Sequence, residues 1–310
     1  GEHIYCVKKA SSAAPKEKLT LLSSSPMAEQ YAIRLSEPNV CVLDMASLEI
    51  KGQKYEADEI LRVDMKVRDT FGLPRRGGEM IQPWYTGLTE HPKLGKIALE
   101  FEFYVNSIPE EFELVCERPE LWHISVNGAD ILAEQNSGKW IDICFDKFKL
   151  SGTALTHGKN TVRMETDFDE TMNIEAIYLL GQFCVSLEGT KKTLTPFKTN
   201  IYHGDIAKDG FPFYGGSITY ETVLYGPETP QERIFICFPD FEGALVKVSA
   251  NGKKPAAIAW HPYEADITDM LEKGANIVSI EYVLTRRNTF GPLHCTPARC
   301  GSYGPNNFIT

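Results

Sequence analysis

Two stretches of the sequence repeat the same order of landmarks, and this repetition constrains the fold more than any other feature. Residues 121–143 read LWHISVNGADILAEQNSGKWIDI, and residues 245–268 read LVKVSANGKKPAAIAWHPYEADIT. In each stretch, apolar residues at every second position predict a strand. An Asn-Gly pair, beginning at Asn127 or Asn251, then predicts a tight hairpin turn, because both residue types tolerate a positive φ. Each stretch is therefore expected to form a β-hairpin.

The similarity continues on both sides of these turns. A Gly-x-Asn motif ending at Asn160 or Asn276 precedes the last strand of each copy, and alternating apolar positions precede the turns in residues 97–105 and 218–224. The first copy carries an insertion, FDKFKLSG, before its Gly-x-Asn motif. The copies lie too far apart for a solenoid, whose repeats are about 20–50 residues long. The pattern predicts duplication of a whole β domain.

The fold class predicted from these patterns is all-β, with two tandem antiparallel β-sandwich domains. Short strands with turns every few residues favour sandwiches, and alternating helices, which a parallel α/β fold would need, are not found. We expect an irregular N-terminal segment over residues 1–92 and a tail over 295–310. Between them we place the first sandwich at 93–188, a linker at 189–209 and the second sandwich at 210–294.

The N-terminal segment combines short strands with the one helix that the sequence predicts. From residue 57 onward, Ile60, Val63, Val67 and Phe71 fall at helical intervals, and Gly72 ends the pattern. A lone sheet edge is unstable. We therefore expect the N-terminal strands to complete a domain that is missing from this chain, and the segment to link to a missing catalytic domain.

Composition limits the classes of partner. The chain has 310 residues, of which 42 are acidic and 32 are basic, for a formal net charge of -10. Nucleic acids and anionic membranes both attract basic surfaces, so neither is an expected partner. An acidic surface is compatible with neutral ligands such as sugars. No signal peptide is recognisable, and the abrupt start at Gly1 leads us to expect a piece of a longer protein.

The eight cysteines form no recognisable disulfide or zinc framework. Cys295 and Cys300 are close in sequence, but no second pair completes a zinc site. We interpret the cysteines as buried free thiols, which favours a reducing, cytoplasmic compartment. A secreted or periplasmic location stays open.

The order of motifs resembles the sugar-binding jelly-roll domain of family-two glycoside hydrolases, also described as galactose-binding-like. That order is a strand, a Val-x-x-Asn-Gly turn, an Asp-Ile pair, a Gly-x-Asn motif and a final strand. Three further stretches, NIEAIYLLG, GFPFYGGSITY and NTFGPLH, look like the C-terminal β-sandwich region of large bacterial glycosidases of the α-L-rhamnosidase-like type. The resemblance covers roughly residues 37–294. It implies jelly-roll sandwiches that accompany a catalytic (β/α)-barrel, which is not found in this sequence.

The resemblance implies a non-catalytic accessory region of a bacterial glycoside hydrolase, which supports the barrel and contacts glycan. Its expected partners are carbohydrate and the catalytic domain of the same parent chain. The first alternative is a free-standing carbohydrate-binding module, and the second is a self-sufficient hydrolase. Because the catalytic carboxylates of such enzymes lie on the barrel, no catalytic residue can be assigned to any position here.

Acidic residues give little sign of catalysis. Glycoside hydrolysis needs two carboxylates across a cleft. The densest acidic cluster, Asp167, Asp169 and Glu170, is interpreted as a solvated loop or a structural calcium site, and no other metal or cofactor is expected. Asp142 and Asp266 follow their turns at equal spacing, so we expect both to serve the same turn or hydrogen bond of the fold.

Aromatic residues are the candidates for carbohydrate contact, because sugar faces stack on aromatic rings. Two tryptophans are predicted to be core residues: Trp122 alternates in phase with Ile124 and Val126, and Trp140 adjoins the Asp-Ile strand. The residues predicted to contact carbohydrate are placed in loops, at strand ends or beside glycines: Trp84, Tyr85, Tyr214, Trp260, His261 and Tyr263. Arg286, Arg287 and His294 are candidates for reaching the cleft of a neighbouring domain.

Overall fold

The computed structural model describes residues 5–10, 20–27, 29–75, 87 and 90–290. These residues separate into two compact units. The split unit contains residues 5–38 and 198–287, and the central unit contains residues 39–197 and 288–290. Most of the regular secondary structure in both units is β-strand, so the predicted all-β class is confirmed.

The split unit contains two sheets. Its strands are β1 (Tyr5–Ala10), β2 (Thr20–Pro26), β3 (Gln30–Leu35), β17 (Asn200–Tyr202), β18 (Ser217–Tyr225), β19 (Glu232–Cys237), β20 (Leu245–Ala250), β21 (Ala256–Ile258), β22 (Glu264–Asp266) and β23 (Ala275–Val283). One sheet has the order β2-β1-β19-β22 and the other β17-β3-β18-β23-β20-β21. The pairings in both sheets are antiparallel.

The central unit also contains two sheets. Its strands are β4 (Asn39–Leu43), β5 (Met45–Ile50), β6 (Gln53–Glu59), β7 (Gly95–Val105), β8 (Glu111–Glu117), β9 (His123–Val126), β10 (Ala129–Asp130), β11 (Asn136–Trp140), β12 (Asp142–Ser151), β13 (Gly158–Phe168), β14 (Ile177–Gly181), β15 (Cys184–Glu188) and β16 (Lys191–Thr195). One sheet has the order β11-β12-β8-β14-β4. The eight-stranded sheet has the order β10-β9-β13-β7-β16-β15, with β5 also paired to β7 and β6 to β5. The β16–β7 pairing is parallel.

Alternation of apolar residues along the strands produces both cores. In β7 the side chains of Ile97, Leu99, Phe101, Phe103 and Val105 are all buried, as their two-residue period predicts. The strand β14 is buried throughout its length, because it lies between β8 and β4 within the five-stranded sheet. Its continuous apolar sequence is typical of a strand covered on both faces.

Helix α1 (Ile60–Phe71) confirms the predicted helical segment. Glu59 caps its N-terminus by accepting hydrogen bonds from two backbone N–H groups. Gly72 ends the helix in the left-handed conformation, which costs glycine little because it has no Cβ atom. The described residues also contain a short helix α2 (Arg287–Phe290) that the sequence did not predict.

The two predicted Asn-Gly turns are present and have the same backbone conformation. Asn127 and Gly128 have φ of 50° and 81°, and Asn251 and Gly252 have φ of 52° and 68°. Two consecutive residues with positive φ match the twist of the flanking strands, which is why Asn-Gly is favoured in such hairpins.

The same asparagine network supports each turn. In the central unit, the side-chain amide of Asn127 donates to the Ala154 carbonyl oxygen and to Asn160 Oδ1, each at 2.8 Å. The buried Asn160 in turn donates to the Thr156 and Gly158 carbonyl oxygens. Asn160 thus closes the loop before β13.

The split unit repeats these contacts atom for atom. Asn251 donates to the Met270 carbonyl oxygen at 3.0 Å and to Asn276 Oδ1 at 2.7 Å. The buried Asn276 donates to the Glu272 and Gly274 carbonyl oxygens, both at 2.8 Å. The repeated Asn-Gly and Gly-x-Asn motifs therefore have one structural role in both units.

The structure corrects the expected equivalence of Asp142 and Asp266. The turn asparagines Asn127 and Asn251 donate to the carbonyl oxygens of Ala154 and Met270, so these two acceptors are equivalent positions. Asp266 lies four residues before Met270, and the residue four before Ala154 is Leu150, not Asp142. Strand β12 has ten residues and β22 has three, and Asp142 is the first residue of β12 whereas Asp266 is the last of β22. Each aspartate still accepts a hydrogen bond from the backbone N–H two residues later, which is a local turn contact.

The N-terminal strands do not complete a missing domain, and the structure divides the chain differently from the expected boundaries. Strand β1 pairs with β19 and β3 pairs with β18, so both complete sheets of the split unit. Residues 39–75 belong to the central unit, where β4 pairs with β14 and β5 pairs with β7. The expected linker at 189–209 contains β16 of the central unit and β17 of the split unit. Local periodicity identifies a strand but carries no information about its distant partner.

Among the cysteines in the described ranges, Cys41, Cys116 and Cys184 are buried. Burial raises the pKa of the Cys41 and Cys116 thiols to about 12. Buried, protonated thiols behave as small apolar side chains. None of the helices in the described part of the chain has the length and hydropathy of a membrane-spanning segment.

Candidate functional site

An exposed aromatic side chain distinguishes one end of the split unit. Trp260 follows the short strand β21 and is 83% exposed. Large apolar side chains are usually covered in folded proteins, so an exposed tryptophan that precedes the packed His261 and Tyr263 rings in the chain is a candidate contact residue. We call Phe241, Trp260, His261 and Tyr263 the aromatic loop surface.

Ring packing holds this surface in place. The rings of His261 and Tyr263 lie with centroids 4.0 Å apart at an interplanar angle of 34°. Tyr263 also packs on Phe241, at 4.8 Å and 53°. The backbone N–H of Phe238 donates to the Tyr263 carbonyl oxygen at 2.8 Å, which joins the loops that precede β20 and β22. Neighbouring loops therefore contribute to one surface.

The aromatic packing continues into the core. Phe241 lies 5.9 Å from Tyr282, and Tyr282 packs on the buried Tyr220 at 5.6 Å. His203 Nε2 hydrogen bonds to the Tyr282 hydroxyl at 2.7 Å. Burial raises the pKa of the Tyr220 and Tyr282 hydroxyls above the ordinary value, so both stay protonated at neutral pH. The surface loop is thus anchored on a rigid interior.

Polar groups lie beside the rings. Asp240 Oδ1 is 3.5 Å from His261 Nε2, and both side chains are largely exposed. A carboxylate accepts hydrogen bonds from hydroxyl groups, and an exposed indole face covers the apolar face of a pyranose ring. The aromatic loop surface can therefore bind a sugar by stacking together with hydrogen bonds to its hydroxyl groups.

Of the six predicted contact residues, Trp260, His261 and Tyr263 lie in one loop, where the His261 and Tyr263 rings pack on each other and Trp260 is exposed. Tyr214 is a correction, because it is only 1% exposed. Its hydroxyl accepts a hydrogen bond from the Ser36 backbone N–H at 3.0 Å and lies 2.9 Å from the Ser217 carbonyl oxygen, so it joins β3 to β18. Trp84 and Tyr85 lie outside the described residues.

The other predicted contact residues also have structural roles or lie elsewhere. Arg286 forms a two-point ion pair with Glu37 within the split unit, with one N–O distance of 2.6 Å. This pairing corrects the expectation that Arg286 reaches a neighbouring cleft. His294 lies outside the described residues.

The two tryptophans predicted to be core residues behave differently. Trp140 is 6% exposed, as predicted. Trp122 is half-buried, because it directly follows a short 3-10 helix, Pro119–Leu121, at the surface. No aromatic cluster comparable to the loop surface of the split unit surrounds Trp122 among the described residues.

The acidic cluster expected to be a solvated or calcium-binding loop is held by protein groups. Asp169 is 7% exposed, and its carboxylate accepts hydrogen bonds from Lys93 Nζ at 2.7 Å and from the Thr171 backbone N–H at 2.8 Å. Glu170 hydrogen bonds to His91 Nδ1 at 2.6 Å. No group of three or more His, Cys, Asp or Glu side chains within the described ranges is arranged to hold a metal ion.

Burial opposes ionisation of Asp169, but its hydrogen bonds to Lys93 and Thr171 outweigh burial and lower the pKa below its ordinary value. Asp169 is thus an ionised structural residue at neutral pH.

Sequence reasoning missed Phe241 and Asp240. The segment FPDFEG, residues 238–243, contains Pro, Asp and Gly, which indicate a turn, with two phenylalanines among them. A phenylalanine in such a turn was the available signal, but only the long-range contact with Tyr263 makes Phe241 part of a surface.

No protein-family model and no curated protein sequence matches this chain. Among solved structures, the chain aligns with a GH2 beta-galacturonidase from Eisenbergiella tayi at 9% identity and a TM-score of 0.25, covering 76% of this chain and 36% of that chain. It aligns with a Streptomyces avermitilis alpha-L-rhamnosidase at 9% identity and a TM-score of 0.29, covering 91% and 33%. For a beta-D-glucuronidase of Dictyoglomus thermophilum the identity is 11%, the TM-score 0.26, and the coverage 80% and 38%.

These neighbours are glycoside hydrolases, and the chain spans less than two fifths of the length of each. The TM-scores are too low for the alignments to establish a shared fold or a shared site.

Proposed function

We propose that this chain is a non-catalytic β-sandwich region of a glycoside hydrolase and that it contacts carbohydrate through the aromatic loop surface. The observation that carries the carbohydrate contact is the 83% exposure of Trp260 beside the packed rings of His261 and Tyr263. Exposing an indole ring to water is unfavourable unless a ligand or partner covers it. A sugar face is an apolar surface of matching size that also offers hydroxyl groups to Asp240.

The glycoside hydrolase part of the proposal is supported by the sequence resemblance. The repeated Asn-Gly and Gly-x-Asn motifs resemble the sugar-binding jelly-roll domain, and residues 210–220 resemble the sandwich region of α-L-rhamnosidase-like enzymes. In this account the parent enzyme supplies the catalytic barrel, and the sandwiches support it.

Calorimetric titration of the chain with a panel of oligosaccharides that contain rhamnose, galactose or uronic acid tests the carbohydrate contact. We expect Trp260→Ala to weaken binding about tenfold, equivalent to about 1.4 kcal/mol, because the stacking surface is lost. Tyr225→Ala is the matched control, since Tyr225 is also a highly exposed aromatic residue of the split unit (68%) but lies in strand β18, outside the aromatic loop surface. Equal losses in both variants, or binding by neither the wild type nor the variants, would contradict a site at Trp260.

The affinity also separates the accessory region from its alternative, a free-standing carbohydrate-binding module. In a parent enzyme, an accessory region and the catalytic cleft bind the same glycan together, so the accessory region alone needs little affinity. We therefore expect weak, millimolar binding by the isolated chain. Specific binding at sub-millimolar concentration would favour the free-standing module, because it must hold its glycan alone.

A further inference from the structure

The outer face of the eight-stranded sheet in the central unit carries a groove of about 490 Å³ that the aromatic loop surface does not use. Four adjacent strands each contribute one residue at the same level. Glu49 of β5 lies opposite Ala98 of β7, Ala98 lies opposite Glu165 of β13, and Glu165 lies opposite His123 of β9. The small Ala98 side chain stands between two long carboxylate side chains and is only 7% exposed, so it forms the floor of the groove.

Arg163 fixes the two carboxylates that border this depression. Its guanidinium donates to Glu49 Oε2 at 2.8 Å, and to Glu165 Oε1 at 2.7 and 3.0 Å. A planar guanidinium that binds two carboxylates restricts both to defined positions. The hydrogen bond to Arg163 also lowers the pKa of Glu49, which keeps its carboxylate ionised.

His123 lies at the other side of the groove, near two carboxylates. Its Nε2 lies 3.1 Å from Asp130 Oδ1, and its Nδ1 lies 3.7 Å from Glu165 Oε2. The His123 side chain is 59% exposed, so it keeps access to solvent. A carboxylate, an imidazole and a second carboxylate therefore follow one another across the neighbouring strands β13, β9 and β10.

The charges that line the groove cancel. Three carboxylates (Glu49, Glu165 and Asp167) face three cations (Lys51, Lys96 and Arg163). A balanced lining attracts neither a polyanion such as a phosphate ester nor a polycation. It suits a neutral molecule with many hydroxyl groups, because each hydroxyl both donates and accepts hydrogen bonds. The volume lies within the range of about 300–1,000 Å³ that is typical of small-molecule sites.

We propose that this groove is a second binding site of the chain and that it takes a neutral, polyhydroxylated ligand of the size of one or two sugar rings. Glu49 and Glu165 accept hydrogen bonds from adjacent hydroxyl groups, Arg163 holds both carboxylates in position, and Ala98 forms the floor of the groove. The ligand class overlaps with that of the proposed function, but the residues belong to the other unit, so each site can fail without the other.

Amide NMR titration of the whole chain with three galactosides of different charge tests this proposal. The probes are methyl β-D-galactoside, which is neutral, the corresponding uronide, which is anionic, and the corresponding 2-amino sugar, which is cationic. We expect the neutral galactoside to shift the amide resonances of β7 and β13 around Ala98 at millimolar concentration. Both charged analogues should bind at least about fivefold more weakly, because each brings a charge that the balanced lining does not neutralise.

Two variants and a matched control locate the binding. Ala98→Leu raises the floor of the groove, and Arg163→Gln releases the two carboxylates, so each should abolish the shifts. Glu102→Gln removes a similar ion pair, with Lys159, on the same face of β7 and β13 but outside the groove, and should leave the shifts unchanged. Thermal unfolding confirms that each variant is folded. If Ala98→Leu does not fold, the loss of the shifts in Arg163→Gln alone tests the binding site.

Three results would overturn the proposal. The first is a neutral galactoside that causes no shift in β5, β7, β9 or β13. The second is stronger binding of either charged analogue, and the third is binding that survives both groove variants. Trp260→Ala should leave the groove shifts intact, which separates a failure of this site from a failure of the aromatic loop surface.

Discussion

Trp140 and Trp260 occupy similar stretches of sequence in the two units, yet one is a core residue and the other is a surface residue. Each follows an Asn-Gly hairpin and precedes an Asp-Ile pair. Trp140 is 6% exposed and packs against Tyr178 at 5.1 Å, and against Phe145 and Phe290 at 5.8 Å each. Trp260 is 83% exposed. The same residue type in a repeated pattern thus has opposite environments.

The repeated asparagine networks and the loops that carry the tryptophans therefore have different structural requirements. The asparagine networks of Asn160 and Asn276 have matching contacts in both units, because the loop carbonyl groups before the last strand need a donor in each. The segment between the hairpin and the Asp-Ile pair has no such requirement. The central unit covers its tryptophan, whereas the split unit leaves its tryptophan available to a ligand.

Replacing Trp140 should have the largest effect. Trp140→Ala removes a buried aromatic side chain and leaves a cavity beside Tyr178 and Phe145, which typically costs about 3–5 kcal/mol of unfolding free energy. Chemical denaturation measures this loss, and hydrogen exchange assigns it to the strands of the central unit. A loss below about 1 kcal/mol would contradict the core role, since that is the range of surface changes.

Replacing the buried asparagines tests whether the two frameworks are equivalent. Asn160→Ala and Asn276→Ala each leave two loop carbonyl oxygens without a donor, so each should cost about 2–3 kcal/mol. Hydrogen exchange in β13 and in β23 should report each loss in its own unit. Costs that differ by more than about 1.5 kcal/mol would show that the matching contacts do not have matching energies.

Replacing Asp169 should have a smaller, pH-dependent effect. Its pKa is lowered in the folded chain, so its contribution to stability is present above the ordinary aspartate pKa of about 3.9 and is lost as the pH falls through the lower folded value. We expect Asp169→Asn to cost about 1–2 kcal/mol at neutral pH. In chemical denaturation, the difference between wild type and variant should shrink in acid. A difference that stays constant between neutral pH and strong acid would contradict an ionised Asp169.

Trp260→Ala should have the smallest effect on stability, within about 0.5 kcal/mol, because an exposed side chain contributes little to folding. Chemical denaturation of Trp260→Ala and Trp140→Ala under the same conditions compares their unfolding free energies. If both tryptophan variants lose the same stability, the distinction between a core and a surface tryptophan is wrong.

The sequence predicts local elements of the fold well. The Asn-Gly turns, the alternation in β7, the buried strand β14 and helix α1 all follow from residue spacing, because each depends on contacts within one element or one turn. The pairing of β1 with β19 and of β3 with β18 could not be predicted this way. Such pairings join strands about two hundred residues apart, and the periodicity of apolar residues within a strand does not identify its partner.

The candidate site follows the same division. Residue type and loop placement were enough to single out Trp260, His261 and Tyr263. Tyr214 has an equally suitable sequence context, but its hydroxyl joins two strands from distant parts of the chain, so it is buried. Phe241 became part of the surface only through its long-range contact with Tyr263.

Fluorine NMR of the chain labelled with 5-fluorotryptophan tests the central claim most directly. The four tryptophans give four resonances, which single Trp→Phe variants assign. On addition of a glycan that the calorimetric panel identifies, we predict that the Trp260 resonance shifts and saturates, while the Trp140 resonance stays in place. An unchanged Trp260 resonance at saturating glycan would contradict carbohydrate contact at the aromatic loop surface.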